Sequence, residues 1–167
     1  MEVFIYSGGT EHLTHKCDFI DDFFIKKLEK IYAKALEREE SIPEAAKDTE
    51  ISLTFMNEDE IARINKEYRE VDSPTDVLSF PMWESEKGAF VPPSDWETLP
   101  LGDIMVCPDV VAKNASDNNR TEEEETVLVI SHGLLHLIGR DHDTEEREAA
   151  MWREQDALVE EYFKTVQ

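Results

Sequence analysis

The sequence contains few of the features that mark exported, disulfide-rich or membrane-spanning proteins. Its 167 residues include two cysteines, Cys17 and Cys107, which lie far apart without paired spacing. We therefore expect two ordinary thiols in a reduced, cytoplasmic protein, although the sequence alone leaves a disulfide open. No apolar run approaches the ~20 residues of a transmembrane helix. The apolar start, residues 1–6, lacks the basic region of a signal peptide and predicts a strand.

Basic residues are also scarce. The chain has 17 Lys and Arg against 39 Asp and Glu, which gives a net charge of −22. Such a chain repels a polyanion as a whole, whereas proteins that neutralise phosphates usually carry a basic surface. Binding of RNA would therefore need a locally positive cleft. The acidic surface itself favours solubility, and a basic protein partner is the other interpretation.

The order of the predicted elements indicates one α+β domain over residues 1–167. The length and the hydrophobic content of 40% fit one globular domain. Periodicity predicts four strands, at residues 2–7, 50–56, 77–82 and 101–107. It predicts five helices, at about residues 19–39, 58–69, 109–116, 122–138 and 145–162. The predicted caps of four helices are Asp18, Asn57, Thr121 and Thr144. Residues 83–100 form a predicted long surface loop, which is uncommon unless functional.

Three of the five histidines lie in one short stretch, at positions i, i+4 and i+10. His132 and His136 fall on one face of the predicted central helix and can bind one ion together. Gly139 is predicted to adopt a positive φ and end the helix, which turns His142 back towards that ion. Three neutral imidazoles leave one tetrahedral position open, as in catalytic zinc sites. Buried core histidines would explain this spacing poorly.

The same spacing occurs in metzincin proteases, H-E-x-x-H-x-x-G-x-x-H, with one difference. The glutamate that acts as general base in those proteases is Gly133 here. The motif therefore predicts a metzincin-like metal site without the peptidase base. Three imidazoles also accept nickel, copper or iron, so the residues alone leave the metal open.

Two further segments accompany the histidine motif. Residues 65–81, NKEYREVDSPTDVLSFP, are similar to the pattern N-x-x-Y-R-x-x-D-x-P-T-[DN]-V-L-S-F-P, and residues 101–104 read LGDI. In this order the three motifs resemble the YbeY family, bacterial metal-dependent endoribonucleases that act in ribosomal RNA maturation. The resemblance implies a mixed four-stranded sheet packed with helices and a zincin-like central helix.

The resemblance also implies a site and a function. It implies that His132, His136 and His142 hold one zinc ion, with water as the fourth ligand, and that Arg69 belongs to the active site. The implied reaction is cleavage of single-stranded RNA, in 3′-end maturation of 16S ribosomal RNA and in ribosome quality control. The implied partners are ribosomal RNA, the small ribosomal subunit and a basic ribosomal protein, with no membrane.

Arg69 and His132 are the predicted catalytic residues. Zinc lowers the pKa of bound water to about 7, which reduces the need for a protein base. An arginine can bind the non-bridging oxygens of a phosphodiester bidentately, so Arg69 is also the predicted substrate-binding residue. A surface salt bridge from Arg69 to Asp72 or Asp76 is the structural alternative. Asp76 and Asp141 are candidates for orienting a ligand histidine or handling a proton.

Two other functions stay open. A metzincin-type zinc peptidase would need a general base from elsewhere in the fold. The other alternative is a non-catalytic, metal-stabilised ribosome assembly factor. Removal of a histidine would destabilise such a protein, which has no catalytic activity to lose. A second, weaker metal signal is the i, i+3 pair His12 and His15 in a polar loop. Because no other strong ligand is assigned there, we favour two solvated histidines.

Overall fold

The computed structural model describes residues 1–164. The four strands are β1 (Glu2–Gly8), β2 (Asp48–Phe55), β3 (Val77–Pro81) and β4 (Thr98–Val106). The five α-helices are α1 (Asp22–Glu37), α2 (Glu58–Arg69), α3 (Pro108–Asp117), α4 (Glu122–Leu137) and α5 (Glu145–Lys164). The predicted α+β fold with four strands and five helices is confirmed. Among the residues described, none of the helices combines the length and apolar character of a membrane span.

The strands form one mixed sheet in the order β1-β2-β4-β3. β2 pairs in parallel with β1 and β4, while β3 runs antiparallel to β4. The interior strand β2 alternates partly exposed and buried positions, as a strand with one core-facing side does. Helix α4 packs against β3, β4, α3 and α5. This helix carries the histidine motif and is buried on most sides, which places the motif beside the β3 edge.

Both ends of α4 have the predicted signals. At its start, the N–H of Glu124 donates to Oγ1 of Thr121 at 3.0 Å, and the N–H of Thr121 donates to Oε1 of Glu124 at 2.9 Å. At its end, Gly139 has φ of 91°, and the N–H of Arg140 donates to the carbonyl of Leu135 at 2.9 Å. This is a capping box followed by a Schellman turn. The predicted cap at Thr121 and the predicted positive φ at Gly139 are confirmed.

One predicted cap is wrong, and another has the predicted position without its side-chain bond. Helix α1 is capped by Asp21, whose Oδ1 accepts the N–H of Phe24 at 2.9 Å, rather than by Asp18. Asn57 precedes α2 but makes no side-chain cap. Its Oδ1 accepts the N–H of Thr14 instead, at 2.9 Å. A contact between distant segments has therefore taken the side chain that the local pattern assigned to the helix.

The loop between β3 and β4 is shorter than predicted. It spans residues 82–97 rather than 83–100, because Thr98 already pairs with β2 as the first residue of β4. A Cβ atom placed on Gly139 would lie only 2.8 Å from the Cβ of Phe90 in this loop. The loop therefore reaches the C-terminal end of α4, next to the histidine motif.

Candidate metal centre and its cleft

The three predicted histidines lie together. His132 and His136 extend from the last two turns of α4, and His142 comes from the turn that follows Gly139. One ring nitrogen of each histidine lies within 4.8 Å of the other two. The Nε2 atoms of His132 and His136 are 3.1 Å apart. The ring of His142 lies 5.9 Å from that of His132 and 5.4 Å from that of His136, between centroids.

The hydrogen bonds of the two α4 histidines fit a cation between them. Nδ1 of His132 lies 2.8 Å from Oε1 of Gln155, and Nδ1 of His136 lies 2.9 Å from the carbonyl oxygen of Arg140. Both partners are acceptors, so each Nδ1 carries the ring hydrogen and each Nε2 keeps a lone pair. Two lone pairs that face each other at 3.1 Å repel without a cation. The donor set therefore suits a metal ion.

The charge state of His136 is also suitable. Burial, followed by the nearby charges of His132 and His142, lowers the pKa of His136 to about 4. The imidazole is therefore neutral near pH 7, which is the form that binds metals.

The two acidic candidates do not orient these rings. Asp76 accepts the backbone N–H of Val77 at 2.8 Å, and Asp141 accepts the backbone N–H of His142 at 2.7 Å. Gln155 and the Arg140 carbonyl occupy the Nδ1 positions of the α4 histidines instead. Neither acid therefore faces the Nδ1 atom of an α4 histidine. A role for either acid in orienting His142 or in moving a proton stays a prediction.

The histidines line a cleft of about 700 Å³. Its walls come from the end of α2, from β3, from the 82–97 loop and from the end of α4. The side chains that bear charge or aromatic rings in it, besides the histidines, are Tyr68, Arg69, Asp76, Phe80, Trp83, Glu84, Phe90, Arg140 and Asp141. Arg69 therefore shares one cleft with the three histidines.

The two arginines of the cleft differ in their partners. Arg140 bonds to Glu39 and, at 3.1 Å, to Glu154, so its charge is neutralised within the protein. Arg69 is exposed and forms no ion pair with any of the residues 1–164. Asp72, one of its predicted alternative partners, pairs with Lys66 at 3.7 Å. The surface salt bridge proposed as the alternative for Arg69 is thus not formed.

Gly133 has a structural reason to lack a side chain. A Cβ atom there would lie 3.0 Å from both Cγ2 of Ile104 and Oγ of Ser79. The position faces the sheet at close contact and is buried. A glutamate there would crowd Ile104 of β4 and Ser79 of β3, so close packing disfavours the metzincin base at this position.

Sequence reasoning missed Gln155. It lies 23 residues from His132 and becomes its neighbour only when α5 packs on α4. One signal in the sequence could have indicated Gln155, namely a polar residue at a position that faces the core. The buried residues of α5 are Met151, Gln155, Leu158 and Tyr162. A buried amide in an apolar stripe needs a hydrogen-bond partner.

Comparison with known proteins identifies the family. The profile of the family described as Endoribonuclease YbeY matches residues 16–163. The chain belongs to the YbeY family. Endoribonuclease YbeY of Lachnoclostridium phytofermentans is 39% identical over 158 residues, which cover 86% of this chain and 88% of that protein. Endoribonuclease YbeY of Staphylococcus aureus (strain JH9) is 37% identical over 150 residues, covering 87% and 91%.

One solved structure has a similar fold over nearly the whole chain. The solution structure of TM1509 from Thermotoga maritima is similar with a TM-score of 0.60 and 28% identity, and covers 97% of this chain and 89% of its own. The family profile and the two named relatives confirm the YbeY resemblance carried by the three sequence motifs.

Proposed function

We propose that this chain is a metal-dependent endoribonuclease that cuts single-stranded RNA during ribosomal RNA processing, at the cleft of the three histidines. The YbeY relatives are named endoribonucleases, which supports the reaction class. The observation that carries the proposal is the position of Arg69, an arginine without an ion-pair partner among residues 1–164, in the same cleft as His132, His136 and His142. A metal site and a cation that binds the phosphate can together stabilise the transition state of phosphodiester hydrolysis.

Zinc is the metal that we propose for the three histidines. Held by three imidazoles, a zinc ion supplies Lewis acidity and lowers the pKa of coordinated water to about 7. His132 and His136 would bind through Nε2, because Gln155 and the Arg140 carbonyl accept their Nδ1 hydrogens. His142 would complete the set from the turn after α4. The hydrogen bonds to Gln155 and to the Arg140 carbonyl hold the rings of His132 and His136 at fixed angles, which favours metal binding.

Arg69 would bind the scissile phosphate. Its guanidinium is permanently charged and can donate two parallel hydrogen bonds to non-bridging oxygens, on which negative charge grows in the transition state. Asp141 and Asp76 line the same cleft. We propose Asp141, which is exposed, as the first candidate for accepting a proton during hydrolysis, with Asp76 as the second.

The aromatic lining supports single-stranded RNA as the substrate. Tyr68 is 64% exposed and packs edge-on against Phe80, with 5.2 Å between ring centroids. Unpaired bases can stack on such rings, whereas the bases of a duplex are already stacked. Stacking is also independent of net charge, which matters for a chain of −22. Arg69 and the aromatic side chains together would offset the general repulsion.

The acidic surface supports a basic partner. A net charge of −22 favours association with a positively charged protein surface. We propose that the chain acts in the cytoplasm on the small ribosomal subunit, where a basic ribosomal protein would hold it near its RNA substrate. Pull-downs with ribosomal subunits at increasing salt concentrations test this association, which should weaken as salt rises.

The reaction itself is tested with a single-stranded RNA and purified protein. We expect cleavage that disappears after chelation, returns with zinc and is absent from His132→Ala. His12→Ala is the matched control, because the His12 side chain is 82% exposed and lies outside the cleft. Folded, metal-loaded protein that cleaves no better than His132→Ala would refute the nuclease.

The same samples test the two alternatives. Casein cleavage lost on chelation would support a peptidase, whose general base would have to come from a residue other than Gly133. Two results together would support a non-catalytic factor. The wild-type protein would not cleave RNA, and His136→Ala would be less stable than the wild type.

A further inference from the structure

A second group of metal-binding side chains lies at the start of α4. His15 and Cys17 come from the segment that precedes α1, and Glu122 is the first residue of α4. One donor atom of each lies within 4.8 Å of the other two. His132 is ten residues further along α4, which corresponds to about 15 Å along the helix axis. The group is therefore separate from the three-histidine site.

Hydrogen bonds outside the group hold this segment in place. Oδ1 of Asn57 accepts the N–H of Thr14 at 2.9 Å, and its Nδ2 donates to the carbonyl of His12 at 3.0 Å. His15 follows directly, and its Nε2 lies 2.9 Å from Oε2 of Glu122. The backbone is thus positioned without a metal. The side chain of His12 is 82% exposed and is not part of the group. The pair of His12 and His15 therefore does not form a metal site together.

We propose that His15, Cys17 and Glu122 bind a divalent transition-metal ion, with zinc as the best chemical match, at a second site. Zinc accepts imidazole nitrogen, thiolate sulfur and carboxylate oxygen together, whereas magnesium and calcium select oxygen. In a tetrahedral zinc site such atoms lie roughly 3.3 to 3.6 Å apart, given the usual bond lengths. The side chains of His15 and Glu122 are 32% and 41% exposed, so small rotations can close the group around an ion.

The local charge favours a cation there. The positive end of the α4 dipole opposes one, but the first turn of α4 carries Glu122, Glu123 and Glu124, while Glu125 pairs with Arg120 at 3.1 Å. The carboxylates of Asp18 and Asp109 also lie close enough to act on Cys17. An ion at this site would link the segment before α1 to the helix that carries His132 and His136. It would therefore stabilise the folded chain by mass action.

A reactive thiol is the other chemical interpretation of Cys17, and its surroundings argue against it. Burial, followed by the charges of Glu122, Asp109 and Asp18, raises the pKa of the Cys17 thiol to about 11. A thiol of this kind is protonated at neutral pH and is a poor nucleophile. No cation that would activate it lies in the group itself, which contains an imidazole and a carboxylate.

Cobalt titration of the metal-free, full-length protein tests the second site. Cobalt bound by a thiolate gives an intense near-ultraviolet charge-transfer band, and the three-histidine site contains no sulfur. We expect this band in the wild type and in Cys107→Ala, and its loss in Cys17→Ser and His15→Ala. Zinc content by mass spectrometry should fall from two ions per chain in the wild type to one in Cys17→Ser.

Folding is followed by circular dichroism, and Glu122→Gln provides a second variant of similar shape. Its cobalt affinity should fall at least tenfold, since one charged ligand is replaced by an amide. Absence of the band from cobalt-saturated wild type would overturn the proposal, as would an unchanged band in Cys17→Ser. A simple ion pair between His15 and Glu122 would then be the whole function of the group. The cobalt experiment does not depend on RNA cleavage, so a negative result would reject the second metal site without bearing on the proposed nuclease activity.

Discussion

Oε1 of Gln155 lies 2.8 Å from Nδ1 of His132 and so connects α5 to a histidine of the metal centre. The Gln155 side chain is nearly inaccessible, because the residue is only 9% exposed. Its amide oxygen fixes both the tautomer and the angle of the ring. The candidate metal centre therefore extends beyond the histidine motif to a helix that begins after it.

Replacement of Gln155 by leucine should weaken metal binding. The variant keeps a similar volume but removes the acceptor for the Nδ1 hydrogen of His132. Loss of such a partner typically lowers metal affinity about 10- to 100-fold. Competition with a coloured zinc chelator measures the change at the three-histidine site, in a Cys17→Ser background that removes the second proposed site.

Gln155→Glu is the matched control, because it retains an acceptor oxygen at the same position. Its zinc affinity should stay near that of the wild type or exceed it. Equal affinities for Gln155→Leu and the wild type would show that the hydrogen bond has no part in binding.

Gly133→Glu should not create a peptidase. The new side chain would crowd Ile104 and Ser79 at the sheet, and its charge would start from a buried position. We expect a loss of about 3 kcal/mol or more in the free energy of unfolding, measured by urea denaturation, and no casein cleavage. Gly133→Ala, which adds only the Cβ atom, should be much less affected. A stable Gly133→Glu protein with chelator-sensitive proteolysis would contradict this account of the motif.

The bond between Glu39 and Arg140 should make stability depend on pH. Burial of Glu39 acts to raise its pKa, but hydrogen bonds from Arg140 and Ser41 outweigh burial, so the pKa lies below the ordinary value of 4.5. A carboxyl group with a lowered pKa stabilises the fold above its unfolded pKa and loses this contribution as pH falls through the folded one. The carbonyl oxygen of Arg140 accepts a hydrogen bond from Nδ1 of His136. The bond between Glu39 and Arg140 therefore also helps to hold a residue that supports the metal centre.

Glu39→Gln tests this in metal-free protein. At pH 7 the variant should be less stable than the wild type by about 1.5 kcal/mol, the lower end for hydrogen bonds to charged groups. The difference should shrink as pH falls below about 4.5. Urea denaturation across this range measures it. A difference that stays constant down to the most acidic pH would exclude the ionised Glu39 as its source.

Local patterns predicted the parts of the site that depend on nearby residues. The i, i+4 spacing brought His132 and His136 to one face of α4. Gly139 ended that helix at φ of 91°, and His142 lies beside the other two rings as expected. Each of these relationships depends on backbone geometry over a few residues, for which sequence patterns carry the information.

Contacts between distant segments could not be predicted in this way. Asn57 matched a helix cap but bonds to Thr14, 43 residues away. Gln155 meets His132 only because α5 packs on α4. His15 meets Glu122, which lies 107 residues further along the chain. The sequence alone could not show whether each of these side chains would bond to a nearby residue or to a distant one, because the distant partner depends on the tertiary arrangement.

Arg69 gives the most direct test of the central claim, that one cleft combines a metal site with a phosphate-binding arginine. We would measure cleavage of a single-stranded RNA and zinc content together, for the wild type, Arg69→Ala and Arg63→Ala. Arg63 is exposed on the same helix and lies outside the cleft, so its variant is the matched control. Arg69→Ala should bind zinc as the wild type does, while kcat/KM falls about 10²- to 10³-fold, as for loss of one transition-state donor. Cleavage by Arg69→Ala at the rate of Arg63→Ala, with equal zinc content, would contradict the account.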